Sequence, residues 1–365
     1  MAYVTVNADL MTTSDGVSSS GLYGFKNRII NGNMMVWQRG TTFNAPADGD
    51  YNADRWQYGA NQSGKVNIAQ SSSAPSGFSY SALVTSTSSY SIGASDLFRY
   101  TQRIEGFNTA DLAFGTASAS TVTLSFWVMS SLTGTFGGSL QNNNGDRSYP
   151  FTYTINSANT WEYETITIAG DTTGTWVGAT NGNGLQLNFS LGAGSSRIGT
   201  AGAWAAAGYY GATGQTNLVA TNAATWQIVG VQLEKGSTAT SFDYRPYTNE
   251  LQLCQRYFEK SYNISDAPNS ATYNGGQDLS GSSDSGGNLL TRINFAVSKR
   301  TAPTITTYTS LGGSSSWTYN RNGAVGNGAT TADNIGTSGA RVYVATGANW
   351  VVGNVNGQWT ASAEL

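Results

Sequence analysis

The sequence predicts an all-β protein in which an antiparallel β-sandwich comes first and a smaller C-terminal β-sandwich domain follows. Several short segments alternate apolar and polar residues with the period of two that a strand shows when one face of its sheet is buried. Turns rich in glycine and asparagine separate these segments, and such residues tolerate the positive φ of tight turns. The alternation is clearest in residues 120–131, 161–170, 184–194 and 225–236.

Helical periodicity is strong in one place only, after Thr248, where Leu251, Cys254 and Phe258 recur on one face. It predicts a short helical connector, with continuation into a strand as the alternative. Beyond it the chain becomes glycine-rich and polar, and further strands are broken at Pro303. The first residues have little to bury, so we expect them to be disordered or ordered only by a partner. The predicted divisions are 1–24, an N-terminal attachment segment; 25–247, the first sandwich; 248–262, the connector helix or strand; and 263–365, the C-terminal β-domain.

The composition excludes several classes of function. Only 11% of the residues are charged and the net charge is −3, so no basic cluster is available for nucleic acid. No apolar run approaches the roughly 20 residues that cross a bilayer, so no membrane insertion is expected. The chain has no histidine, which excludes histidine-based nucleophilic catalysis and the usual zinc ligand sets. Cys254 is the only cysteine and is expected to be a small core residue.

Carboxylates are then the remaining candidates for catalysis or metal binding. A glycosidase needs two of them about 5–10 Å apart, and no spacing in the sequence forces such a pair together. Glu162 and Glu164 share a strand face, which we interpret as the solvent face. Asp48, Asp50 and Asp54 could supply oxygen ligands to Ca²⁺, but a solvated turn is the simpler interpretation. We therefore predict no catalytic residue, no metal site and no cofactor.

Arginines and aromatic residues concentrate near the beginning of the first sandwich. Arg28, Arg39 and Arg55 lie among several aromatic side chains, with Asp54 available to balance their charge. In a chain with only 18 basic residues, this concentration favours stacking and hydrogen bonding within the fold. We interpret it as a structural clasp at the entry to the sandwich, with a ligand site as the alternative.

Several motifs, in this order, resemble the tail-fibre and related virion proteins of tailed bacteriophages and prophages. They are NRIINGNMMVWQRGTTF, ADRW, LSFWVMSS, VQLEKGSTATSFDYRPYTNELQLCQRYFEKS and the terminal WTASAEL. The most specific part covers residues 232–261. The resemblance implies a carbohydrate-binding jelly roll for the first sandwich, a location on the surface of the virion, and a homotrimer. It also implies that the N-terminal segment docks onto other virion tail proteins.

A neutral surface rich in Ser, Thr, Asn and Gly, with spare aromatic rings, suits glycans. Loop 199–217 is built of Gly and Ala and carries Trp204, Tyr209 and Tyr210, which we place at its tip. The alternative is that these rings fold back over an end of the sandwich or meet a neighbouring subunit. In the C-terminal domain core packing is favoured over binding. The candidate carbohydrate-binding residues are Trp204, Tyr209, Tyr210, Trp317, Tyr319 and Trp350.

Three functions stay open, and the first is favoured. It is a receptor-binding virion fibre that attaches to host surface polysaccharide or lipopolysaccharide without cleaving it. The second is a purely structural connector or decoration protein of the virion, whose aromatic residues are buried against neighbours. The third is a polysaccharide-degrading tail enzyme, for which the sequence offers no positive evidence.

Overall fold

The computed structural model describes residues 26–321, 323–347 and 352–365. The predicted attachment segment 1–24 and the candidate residue Trp350 lie outside this range. The described chain divides into two compact units. The first contains residues 26–35, Thr42–Tyr51 and Trp56–Pro246, and the second contains Val36–Thr41, Asn52–Arg55 and Tyr247–Leu365. Two short stretches of the early chain therefore belong to the second unit. The predicted divisions differ from this, because each of them is one continuous range of residues.

The first unit is a jelly-roll-type β-sandwich of two antiparallel sheets, as predicted. Its main strands are β1 (Thr42–Asn44), β2 (Trp56–Ala60), β3 (Val66–Ser71), β4 (Ser81–Ser86), β5 (Leu97–Glu105), β6 (Val122–Ser130), β7 (Gly134–Gln141), β8 (Ser148–Ile155), β9 (Glu162–Ile168), β10 (Asn183–Ala193), β11 (Ile198–Gly199), β12 (Gly211–Ala212) and β13 (Thr225–Lys235). One sheet has six strands in the order β1-β3-β4-β13-β6-β9, and the other has five in the order β2-β5-β10-β7-β8. Strands β11 and β12 form a small parallel pair.

Aromatic side chains fill the space between the two sheets. Phe189 lies among the rings of Phe126, Trp226 and Trp56, with ring centroids 5.0, 5.7 and 6.2 Å away. The indole N–H of the fully buried Trp226 donates to the Tyr153 hydroxyl at 3.0 Å, so its polar atom is satisfied inside the core. These residues occupy the inward positions of the alternating strands, and the outward positions are left for a surface.

The chain before β1 closes one side of the sandwich. The Asn27 side chain accepts from the amides of Ile29 and Leu233 and donates to the carbonyl of Val231. Arg28 forms a two-pronged ion pair with Asp111, at 2.5 and 2.9 Å. The early motif therefore ties Asn27 to β13, which lies inside the six-stranded sheet, and Arg28 to Asp111.

The second unit is the smaller β-domain. It begins with helix α1 (Tyr247–Gln255) and continues with β14 (Phe258–Lys260), so the predicted helix and the alternative strand occur in succession. The remaining strands are β15 (Gln277–Ser283), β16 (Asn288–Asn294), β17 (Thr304–Tyr308), β18 (Ser316–Arg321), β19 (Ala324–Asp333), β20 (Gly339–Ala345) and β21 (Val352–Ser362). The sheet curls because β21 pairs with β15 and also with β18. Cys254 is fully buried, and this burial raises the pKa of its thiol.

Two of the early arginines lie in this second unit. Arg39 and Arg55 both bind the carboxylate of Glu364, Arg39 at 2.9 Å, and each guanidinium stacks on a ring 3.6 Å away, that of Phe258 or Tyr257. These contacts agree with a structural clasp. The predicted position at the entry to the sandwich is wrong for Arg39 and Arg55, which lie in the second unit, whereas Arg28 lies in the first.

Candidate functional site

A groove crosses the outer face of the six-stranded sheet in the first unit. Its volume is about 540 Å³, within the roughly 300–1,000 Å³ of small-molecule sites. Five aromatic side chains line it, together with small and hydroxyl-bearing residues. The aromatic residues are Phe78, Trp127, Tyr163, Phe242 and Tyr244.

The floor of the groove is a cross-strand aromatic pair. Trp127 on β6 and Tyr163 on β9 are register partners, and their ring centroids are 5.2 Å apart. In β6 the neighbours Phe126 and Val128 point inward and are fully buried, so the alternation of the strand turns Trp127 outward. Tyr163 projects from the same outer face and is 45% exposed. The floor therefore follows from two strands that are in phase.

A β-bulge in the neighbouring strand β13 lets another ring approach this floor. The register shifts between Val229 and Gln232, and Gly230 between them has φ +66°. A Cβ at Gly230 would lie 2.7 Å from Cζ of Phe78 and 3.2 Å from Cδ1 of Trp127. Only glycine satisfies both the left-handed backbone and the close approach of two rings.

One wall of the groove is formed by residues 236–245, a segment that we call the strap. The strap follows β13 and folds back over it. The amide and hydroxyl of Thr240 donate to the Glu234 carboxylate at 2.9 and 2.7 Å, and the Asp243 amide donates to Gln232 at 2.9 Å. Glu234 and Gln232 are 4% and 0% exposed, and they anchor the strap from beneath. The motif QLE therefore supplies the two side chains that hold the STATSFDY segment, which follows it in the sequence.

Three rings pack together where the strap meets the chain before β4. Phe242 lies 5.2 Å from Phe78 and 5.0 Å from Tyr244, and Phe78 lies 5.5 Å from Tyr244. Tyr244 keeps 57% of its surface exposed, and partial burial raises the pKa of its phenol. The groove thus has a partly exposed tyrosine at each end, Tyr163 and Tyr244.

The lining carries hydroxyls but no ionised side chain among the described residues. Ser76, Ser125, Thr240 and Ser241 supply hydrogen-bonding groups along the aromatic surface. The charges next to the strap are already engaged, since Glu234 holds Thr240 and Asp243 pairs with Arg245 at 3.5 Å. The groove is therefore aromatic, hydroxylated and neutral.

The predicted loop residues lie against the sandwich and not at a loop tip. The indole N–H of Trp204 donates to Ala169 at 2.7 Å, and its ring packs in a cluster with Phe114, Tyr149 and Trp176. The Tyr209 ring covers Gly199, and Arg99 lies 4.5 Å above the Tyr210 ring. All three predicted residues are half-buried, which corresponds to the alternative in which the rings fold back over the sandwich.

The candidate residues of the second unit are placed differently from one another. Trp317 is fully buried in the core of the unit, and its indole N–H donates to the Gln358 carbonyl at 2.9 Å. It has no surface to offer a sugar, which corresponds to the core packing that the sequence favours over binding for this residue. Tyr319 is half-buried and packs against the same core, with its ring over Gly326. The role of Trp350 stays a prediction, because that residue is outside the described range.

The carboxylates considered for catalysis or metal binding have structural roles in the described chain. Glu162 and Glu164 lie on the half-buried face of the edge strand β9, and not on the solvent face as predicted, because Tyr163 takes the outward position. Glu162 accepts hydrogen bonds from backbone amides of the turn after β8. Burial, and to a lesser extent the nearby charge of Glu162, raise the pKa of Glu164. Asp48 accepts from the Ala60 amide and Asp50 from the Ala47 amide. Within the described residues no group of three or more potential metal ligands occurs.

The five groove aromatics were not among the predicted site residues, although the sequence contains a signal for two of them. Trp127 follows the inward Phe126 directly, and Tyr163 lies between two glutamates, so each ring falls out of phase with the apolar face of its strand. An aromatic residue at an outward strand position is such a signal. Phe78, Phe242 and Tyr244 come from irregular segments, where no periodicity marks them.

Solved structures with a similar fold include phage and carbohydrate-binding proteins. One is the enzymatically active domain of tailspike protein 4 of bacteriophage CBA120, with 13% identity and a TM-score of 0.29 over 53% of this chain and 22% of that chain. Another is the module TmCBM61 in complex with β-1,4-galactotriose, with 10% identity and a TM-score of 0.29 over 58% and 99%. A third is the CBM22-1 xylan-binding domain of Paenibacillus barcinonensis Xyn10C, with 12% identity and a TM-score of 0.26 over 59% and 100%.

These likenesses are distant, and the function proposed below rests on the groove itself. The sequence matches no protein-family model and no curated protein. In the described part of the chain, no helix is long and apolar enough to span a membrane.

Proposed function

We propose that the first unit binds glycan in the groove, and that the chain is a receptor-binding protein of a phage virion that attaches to host surface polysaccharide or lipopolysaccharide without cleaving it. The observation that carries this proposal is the neutral, hydroxyl-rimmed groove with its five aromatic side chains. A homotrimer on the virion surface, attached to other tail proteins through residues 1–24, completes the proposal.

The chemistry of the groove fits a sugar ring. Pyranoses present apolar C–H faces that cover aromatic rings, and each Å² of apolar surface removed from water contributes roughly 25 cal/mol. Trp127 and Tyr163 offer such a platform on the floor. The hydroxyls of Ser76 and Ser241 also line the groove and can exchange hydrogen bonds with sugar hydroxyls. Stacking supplies affinity, and the hydroxyls supply orientation.

Binding without cleavage is supported by the positions of the carboxylates. Glycoside hydrolysis requires two carboxyl groups flanking the scissile bond. No carboxylate is among the residues that line the groove. Glu162 and Glu164 are the nearest in sequence to its floor, and they point to the opposite side of β9 from Tyr163.

The virion role is supported by the motif resemblance and by what one of its motifs builds. The segment VQLEKGSTATSFDY supplies both the anchors of the strap and two of the aromatic rings of the groove. The most specific part of the resemblance therefore overlaps the candidate site.

Binding to purified host-cell polysaccharide, with analysis of the polymer afterwards, tests the proposal. We expect saturable binding by the full chain, unchanged polymer length, and a loss of affinity in Trp127→Ala and Tyr163→Ala. Tyr80→Ala is a matched control for Tyr163→Ala, because the two tyrosines of this unit are 38% and 45% exposed and Tyr80 does not line the groove. It should bind like the parent protein.

Other outcomes identify the competing functions. Release of new reducing ends would overturn the non-cleaving part of the proposal. Absence of glycan binding, together with altered oligomeric state in Tyr163→Ala, would identify the aromatic surface as an interface of a purely structural virion component.

A further inference from the structure

The five rings form a continuous belt that runs across the strands. Tyr163 on β9 pairs with Trp127 on β6, and the bulge at Gly230 on β13 brings Phe78 next to Trp127. Phe78 in turn contacts Tyr244 on the strap. Because neighbouring strands lie about 4.8 Å apart, the belt from β9 to β13 alone spans about 10 Å. A ligand that covers it must be longer than one sugar ring.

The belt is open at both ends. Tyr163 at one end is 45% exposed and Tyr244 at the other is 57% exposed. A site that recognises the end of a chain needs a wall against which that end stops, whereas here each end carries a partly exposed ring. An extended ligand can therefore enter at one tyrosine and leave at the other.

The belt is also unsuited to an anionic ligand. A carboxylate or phosphate that lies in an aromatic groove loses hydration, and a cation placed beside it is the group that offsets most of this cost. The lining contains no lysine or arginine. Arg245, at the end of the strap, is committed to Asp243 and to the backbone carbonyls of Asn27 and Ile29.

We infer that the groove binds an internal segment of an uncharged polysaccharide, laid across strands β9, β6 and β13 from Tyr163 to Tyr244. The inference rests on the proposed function and adds to it the class of glycan and the way in which the chain is held. Two physical consequences follow. Affinity is nearly independent of salt, because no ion pair forms. Many protein molecules bind one polymer chain, because every internal segment is a site.

A panel of soluble polymers tests both consequences. Neutral glucans, galactans, mannans and xylans are compared with polygalacturonate, alginate and hyaluronate, and polygalacturonate is also compared with its carboxyl-reduced, uncharged product. We expect binding only to uncharged polymers, with affinity that changes less than about twofold between about 0.05 and 0.5 M NaCl. Sedimentation of protein with polymer of known length should give several protein molecules per chain.

Variants at the two ends of the belt test its extent. Tyr163→Ala and Tyr244→Ala should each weaken binding by about fivefold to tenfold, since each removes one stacking platform. Circular dichroism and denaturant unfolding verify that both variants fold, and Tyr80→Ala again serves as the control. If only one of the two changes affinity, the ligand does not span the belt, and the inference is wrong.

The failure of this inference can be distinguished from failure of the proposed function. Binding that is restricted to acidic polymers, or that falls steeply with salt, contradicts the uncharged ligand but leaves glycan binding intact. Saturation at one protein molecule per chain contradicts the internal mode. Absence of binding to every polymer and to host polysaccharide overturns the proposed function, and this inference with it.

Discussion

Replacing Glu234 with alanine removes the charged one of the two β13 side chains that anchor the strap, which forms one wall of the groove. The Glu234 carboxylate accepts from the Thr240 amide at 2.9 Å, from the Thr240 hydroxyl at 2.7 Å and from the Gln232 side chain at 3.0 Å. It is 4% exposed. In Glu234→Ala these donors lose a charged acceptor, and the strap is free to lift from the sheet.

The size of the effect depends on how many hydrogen bonds to the strap are lost and on which contacts still hold the strap in place. Each hydrogen bond to a charged group contributes about 1.5–3 kcal/mol, and water rehydrates part of the Thr240 site once the strap moves. We therefore expect the free energy that holds the strap in place to fall by about 3 kcal/mol, which is roughly a hundredfold in the equilibrium between docked and lifted states. Gln232 still accepts from the Asp243 amide, so the strap is loosened and the sandwich remains folded.

Amide hydrogen exchange measures this loosening directly. The amide of Thr240 should exchange roughly a hundredfold faster in Glu234→Ala, the amide of Asp243 should exchange less fast than that because Gln232 still accepts from it, and amides inside β13 should keep their protection. Glycan affinity should fall by about tenfold or more, because Phe242 and Tyr244 lose their positions. Glu234→Gln, which keeps one acceptor oxygen, should show a smaller change in both measurements. Unchanged exchange at Thr240 in the alanine variant would refute the assignment of Glu234 as an anchor.

Three further predictions address the bulge, the buried carboxylate and the loop tryptophan. Gly230→Ala should lower the free energy of unfolding by about 2 kcal/mol and abolish glycan binding, because its Cβ would meet Phe78; parent-like urea unfolding and affinity would contradict this. Burial raises the pKa of Asp54 from 3.8 to about 6, so the stability that Asp54 itself contributes should be complete below about pH 4 and should be lost, by up to about 3 kcal/mol, as the pH rises through 6. Urea titrations of Asp54→Asn across this range should lack that fall, and an identical pH slope in both proteins would exclude Asp54 as its source. Trp204→Ala should cost about 2 kcal/mol of stability, from its lost ring contacts, and leave glycan affinity within about twofold of the parent; a large loss of affinity in the folded variant would restore Trp204 as a binding residue.

The features that the sequence predicts correctly are those encoded over short distances. Alternation in residues 120–131 and 225–236 reports directly which side chains face the core, so the sandwich follows from local pattern. The short helix is also predicted from neighbouring residues, but of its three predicted face residues only Cys254 is buried in α1, because Leu251 is half-buried and Phe258 lies in β14. Both signals need only neighbouring residues.

The groove and the arginine clasp depend on contacts that no local pattern encodes. Strand β13 lies between β4 and β6 although about 95 residues separate it from β6 in the chain, and this order brings Phe78 to Trp127. The pairing of Arg55 with Glu364 spans 309 residues. The glycine and alanine around Trp204 predict a loop tip, yet burial of a large ring against Phe114 and Trp176 outweighs local chain flexibility.

The residues of the groove divide into those that hold its shape and those that contact its contents. Gln232 and Glu234 are buried and hydrogen-bonded, so substituting them disturbs the strap and every ring that it carries. Tyr163 and Tyr244 are about half exposed, and substitutions at such positions have small effects on stability. If the groove binds glycan as proposed, changes at the exposed rings alter which glycan is bound while the strap and the sandwich persist. In a receptor-binding protein this separation allows the choice of receptor to change without a change of fold, because the groups that set affinity are not the groups that set the backbone.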